Sequence, residues 1–101
     1  MNKEKYYNKI KAYVYRQFDK LKIKKSKFHN STIYLYYEKN IQYQIRIEKY
    51  TGEVRYDYNL EDNINKIIPI ARIDFQILLA KWINDKFQIK VSSISGRNLI
   101  H

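Results

Sequence analysis

Four cations recur at helical intervals near the start of the chain: Lys5, Lys9, Arg16 and Lys20. Each residue of an α-helix advances about 100° around the axis, so these spacings gather all four on one side. A row of ammonium and guanidinium groups suits the neutralisation of anions, above all the phosphates of a nucleic-acid backbone. Lys22, Lys24, Lys25 and Lys27 follow and carry the charge into a loop. Residues 1–27 hold ten Lys/Arg and two Asp/Glu, whereas residues 28–101 hold ten and eight. A solvated helix face usually mixes signs in supporting i,i+4 pairs. Here the carboxylates are nearly missing, and the expected role is phosphate neutralisation without base readout.

A second set, Tyr34, Tyr36, Arg46 and Arg55, alternates along residues that read as strands and is expected on an open sheet face. Its rings could stack on bases, and its guanidinium groups could bond base edges or a protein surface. Other chemistries find little material. There is no Cys, which excludes disulfides and thiolate sites. His29 and His101 lack ligand-spaced companions, so no metal is expected. Gly52 and Gly96 are the only glycines, and no phosphate loop can be built from them. Ser26, Ser31, Ser92, Ser93 and Ser95 have no partner that would activate a nucleophile. Neither a catalytic centre nor a cofactor is expected.

The elements that must position these residues follow from hydrophobic spacing. Tyr7, Ile10, Val14, Phe18 and Leu21 form one apolar stripe, predicting a helix over 3–21 with Lys5, Lys9, Arg16 and Lys20 opposite. Residues 32–58 read as a three-stranded meander with turns at Lys39-Asn40 and Thr51-Gly52. Its covered face is assigned Ile33, Leu35, Tyr37, Ile41, Tyr43, Ile45, Ile47, Val54, Tyr56 and Tyr58. Its open face is assigned Tyr34, Tyr36, Gln42, Gln44, Arg46, Glu48, Arg55 and Asp57. Asn59 is the expected N-cap of a helix over 60–67 that Pro69 ends. Asp74 is expected to cap a second helix over 75–87, whose wide apolar arc includes Ile77 and Ala80 and suggests a homodimer interface. A last strand is read over 88–92, with regular structure ending at Ser95-Gly96-Arg97.

The fold class is therefore α+β, in the order α-β-β-β-α-α-β. A three- to four-stranded, mostly antiparallel sheet carries its helices on one face. At 101 residues and 45% hydrophobic content, one domain spanning 1–101 is expected. No apolar run reaches the roughly 18 residues of a membrane span, and Met1-Asn2-Lys3-Glu4 opens no secretory signal, so a cytoplasmic location without membrane contact is expected. Ile, Lys, Asn and Tyr make up 51 of the 101 residues, and codons of A and T alone can encode all four, as in the AT-rich genome of a bacterium or virus.

Two families share the order of elements. The run α-β-β-β-α-β resembles the core of PD-(D/E)xK nucleases, which implies carboxylates and a Lys gathered around Mg²⁺. The residues at hand are Glu48, Glu53-Val54-Arg55 and Asp57, without the Glu-x-Lys step, so at most a degenerate nuclease is implied. The order α-β-β-β-α over residues 3–87 also resembles the double-stranded RNA-binding domain. The last helix, however, opens with Asp74-Phe75-Gln76-Ile77 rather than a Lys cluster. Two functions outside catalysis remain. One is a small basic protein that binds nucleic acid through the N-terminal helix and loop. The other is a phage- or virus-encoded inhibitor, of the anti-CRISPR kind, that binds an acidic surface of a host defence complex.

Overall fold

The first helix forms where the apolar stripe requires it. In the computed structural model, which describes residues 3–26 and 30–98, helix α1 spans Lys3–Asp19 and buries Ile10, Val14 and Phe18. Five strands follow the order of the chain: β1 (Lys22–Lys25), β2 (Ser31–Glu38), β3 (Ile41–Glu48), β4 (Glu53–Asp57) and β5 (Ser93–Arg97). Helices α2 (Tyr58–Ile67) and α3 (Arg72–Phe87) lie between the last two. All strands join one sheet in the order β1-β2-β3-β4-β5; every pairing is antiparallel except β4 with β5. A single apolar cluster joins Ile10, Val14 and Phe18 of α1, Leu60 and Ile64 of α2, and Phe75, Leu78, Leu79, Trp82 and Ile83 of α3 to one face of the sheet. The three helices therefore share one side, and the other side of the sheet is open. The class is α+β as expected, with a mixed five-stranded sheet in place of the three or four strands read from sequence.

The fifth strand is β1. The charge pattern of Lys22-Ile23-Lys24-Lys25 predicts a loop; the segment instead pairs antiparallel with Leu35 to Thr32 at the sheet edge. Lysines suit that position, because charge on an edge strand discourages pairing with another chain. Two helices begin earlier than their presumed caps. Asp57, not Asn59, is the N-cap of α2, and its side chain makes no capping bond. Ala71 precedes α3, and Asp74 sits inside the first turn, where a carboxylate still favours the helix dipole.

The last strand lies beyond its expected span. Gln88 ends α3 in the left-handed conformation, its N–H reaching Asn84 O at 2.9 Å. Residues 88–92 then serve as a connection. They are tied down by Ser92 N–H to Gly52 O at 2.9 Å and Ser92 Oγ to Thr51 O at 2.6 Å. The strand itself is Ser93–Arg97, the segment expected to end regular structure. Gly96 is needed there, since a side chain at this position would run into the ring of Tyr58.

The largest correction concerns which face of β2 is buried. Ile33, Leu35 and Tyr37 are expected on the covered face, yet Tyr34 is 0% exposed in the core and Tyr36 packs against it, whereas Tyr37 is 56% exposed and Leu35, though buried, lies on the opposite face beside Gln44. Both faces of β2 are apolar, so hydrophobic alternation cannot choose between them. The hairpin chooses. Lys39 (φ 50°) and Asn40 (φ 67°) form a two-residue turn of the type I′ kind, and Glu38 pairs with Ile41. That register sets Tyr34 opposite Ile45 and Tyr36 opposite Tyr43. Residues directly opposite in an antiparallel pair share a face, so burying Ile45 buries Tyr34. Ile41, also expected inside, is exposed at the strand end.

Candidate nucleic-acid interface

Helix α1 holds its cations as its spacing requires. Lys5, Lys9, Arg16 and Lys20 are all exposed, opposite the buried Ile10, Val14 and Phe18. Because that buried stripe faces the sheet, the cationic row points outward from the helical layer. Arg16 lies 5.4 Å from the ring centre of Tyr13, which holds its guanidinium against the helix surface. The acid nearest the end of the row is engaged elsewhere. Asp19 Oδ1 accepts a bond from Trp82 Nε1 at 3.0 Å and lies 3.6 Å from Lys86 Nζ. Among the described residues, no ion pair involves Lys9, Arg16, Lys20, Lys22, Lys24 or Lys25.

The lysines after α1 are distributed by the pleat of β1. Lys22 pairs with Leu35 and Lys24 with Ile33, which places both on the open sheet face; Lys25, opposite Thr32, is on the helical side. The cations thus run from the outer face of α1 around the sheet edge. Lys27 lies outside the described residues, as do His29 and His101.

The open sheet face differs from its expected composition. Tyr34 and Tyr36 are removed from it by the β2 register. Tyr34 packs edge-on against Trp82 at 4.8 Å and Phe87 at 5.4 Å, and burial with the nearby charge of Asp19 pushes its phenol up to about 12. Arg46 and Arg55 stay on the open face and prove to be direct cross-strand partners. One row across the sheet reads Lys24, Ile33, Arg46, Arg55, Ser95; the next reads Lys22, Leu35, Gln44, Asp57, Arg97. Arg46 Nε lies 3.0 Å from Glu48 Oε1. Asp57 is 2% exposed: its Oδ2 accepts the Gln44 N–H at 2.7 Å, and its Oδ1 lies 3.7 Å from Arg97 Nη2. Burial pushes the Asp57 carboxyl above the usual carboxylate range, against the opposing pull of Gln44 N–H and Arg97. Arg97 carries no signal in the sequence, because it follows Ser95-Gly96, where regular structure is expected to end.

Of the carboxylates raised by the nuclease comparison, Glu48 and Asp57 are each engaged by a guanidinium, and Glu53 is exposed at the start of β4. Among the described residues no group of three or more His, Asp or Glu is placed to hold a metal ion. No helix among them is long and apolar enough to cross a membrane. On α3, Ile77 is exposed together with Ile73, and Ala80 is half-buried. Comparison with protein-family models, with curated proteins and with solved structures finds no match to the chain.

Proposed function

We propose that the protein is a non-catalytic binder of nucleic acid. It grips the phosphate backbone through Lys5, Lys9, Arg16 and Lys20 of α1, with Lys22, Lys24 and Lys25 of β1 extending the contact. The observation that carries this reading is the exposed cationic row on α1, at whose C-terminal end the one nearby acid of the helix, Asp19, is taken up by Trp82 and Lys86. Cations held at this density repel one another, and a chain of phosphates removes that repulsion while releasing condensed counterions. Contacts to phosphate fix position and carry no sequence information, so binding should tolerate any sequence.

Salt dependence tests it. If about six phosphates are neutralised, the logarithm of the association constant should fall linearly with log salt, with a slope of about −5. An isotherm that stays flat from low to physiological salt contradicts the proposal. An acidic protein partner is the second target that this surface could serve, and capture of a host protein that survives nuclease treatment would put that reading first. The exposed Ile73 and Ile77 favour self-association through α3, which sedimentation velocity reads directly; a monomer at every concentration excludes it.

A further inference from the structure

The open sheet face carries an arrangement that the α1 row does not use. Arg46 and Arg55 stand directly opposite each other on adjacent strands, a like-charge pairing that weakens a sheet unless something neutralises it. The neutralisation present is partial. Glu48 meets Arg46 at Nε, which leaves the two terminal nitrogens of that guanidinium for another acceptor. The Arg55 side chain is exposed and has no hydrogen bond or ion pair among the described residues. Beside them, Gln44, Arg46, Arg55, Asp57 and Arg97 line a cleft of about 80 Å³. Its floor carboxylate, Asp57, has both oxygens engaged, one by Gln44 N–H and one by Arg97. Arg97 is itself 65% exposed along its side chain. Three guanidinium groups from three strands thus border one small cleft whose own carboxylate is already occupied. The adjoining cleft toward the turn is lined by Arg46, Glu48, Thr51, Glu53 and Arg55; its two acids make it the poorer place for an anion.

We infer that the cleft between Arg46, Arg55 and Arg97 is a binding site for a phosphate group. A guanidinium offers parallel N–H donors that match two oxygens of one phosphate, and lysine cannot supply that geometry. Asp57 acts as a positioning residue: it holds Arg97 over the cleft from a buried place of its own. The site lies on the opposite side of the molecule from the α1 row and does not depend on it. The same chemistry would recognise a free phosphate or one phosphodiester of a nucleic-acid strand.

The test is a titration of the ¹⁵N-labelled chain followed by amide shifts at constant ionic strength, with chloride as the balancing anion. One arm adds inorganic phosphate, and the other adds a short single-stranded oligonucleotide. The expected result is saturable movement of amides 44–46, 55–57 and 95–97 in at least one arm. Arg55→Gln should lower that affinity by roughly tenfold or more, in line with the loss of charge-assisted bonds. Arg55 is exposed, so this variant should keep its fold, which its spectrum shows directly. Lys9→Glu/Arg16→Glu/Lys20→Glu should leave the phosphate response in place, so this site and the α1 row succeed or fail separately. Saturation by inorganic phosphate marks a small-ligand site, and saturation by the oligonucleotide alone marks a backbone contact. Movement confined to α1, no saturable movement in either arm, or an unchanged response in Arg55→Gln overturns the inference.

Discussion

Tyr34 shows how much one residue's orientation decides. Its ring is wedged among Trp82 and Phe87 with Lys86 Nζ 5.6 Å from its centre, yet its hydroxyl finds no hydrogen-bond partner among the described residues. The ring and the hydroxyl should therefore separate in mutagenesis. Tyr34→Ala should cost about 3–5 kcal/mol, as for other buried aromatics. Tyr34→Phe should be neutral or stabilising by up to about 1 kcal/mol, because it deletes an unsatisfied buried group. Chemical denaturation of the two variants checks both; a Tyr34→Ala change costing well under 1 kcal/mol would return this side chain to the open face. Asp57 supplies a pH signature of known sign. Its folded-state pKa lies above the usual carboxylate value, so the folded chain holds that proton more tightly than the unfolded chain does. Its contribution is thus most favourable at acid pH and falls as pH rises through that raised value. Denaturation of Asp57→Asn beside wild type across acid and neutral pH should show their stability difference moving in the variant's favour as pH increases.

Among the elements, those with a single apolar face could be read from sequence, and those set by pairing or by backbone turns could not. The four-residue spacing of Ile10, Val14 and Phe18 fixed α1 and the outward direction of its lysines without any partner being known. The core of α3, from Phe75 to Ile83, was legible in the same way. On β2, by contrast, Ile33, Leu35 and Tyr37 compete with Tyr34 and Tyr36 as an apolar set. The deciding signal was the two-residue turn at Lys39-Asn40: pairing 38 with 41 sends 34 to 45. Counting registers from that turn would have removed Tyr34 and Tyr36 from the candidate site in advance. Strand β5 was hidden differently. It is a parallel edge strand placed by Gln88 and by the anchoring of Ser92 to the Thr51-Gly52 turn, and none of these leaves a hydrophobic period. Gly96→Ala tests that placement. The added methyl meets Tyr58, so the variant should lose on the order of 1–3 kcal/mol, as overpacked positions do. A thermal melt unchanged from wild type would mean that β5 does not pack where it is described. The turn offers a test in the opposite direction. Lys39→Asn/Asn40→Gly fits the residues that type I′ geometry prefers and should raise the melting temperature.

At the scale of the molecule, the charge is arranged in two places with different characters. The α1 row is dense, outward and poor in acids, and it suits a long anion gripped without discrimination. The open face mixes Lys22, Lys24, Arg46, Arg55 and Arg97 with Glu48, Glu53 and Asp57, and it suits one small anionic group held in a defined geometry. The central claim concerns the first of these. It is tested most directly by fluorescence anisotropy of a labelled oligonucleotide at low salt, with wild type and Lys9→Glu/Arg16→Glu/Lys20→Glu compared at equal helical content. The three side chains are exposed, so the fold should survive the reversal. Reversing three of the charges proposed to meet phosphate should weaken binding by on the order of 100-fold and flatten its salt dependence. Equal affinity and an equal salt slope for the two proteins would contradict the account.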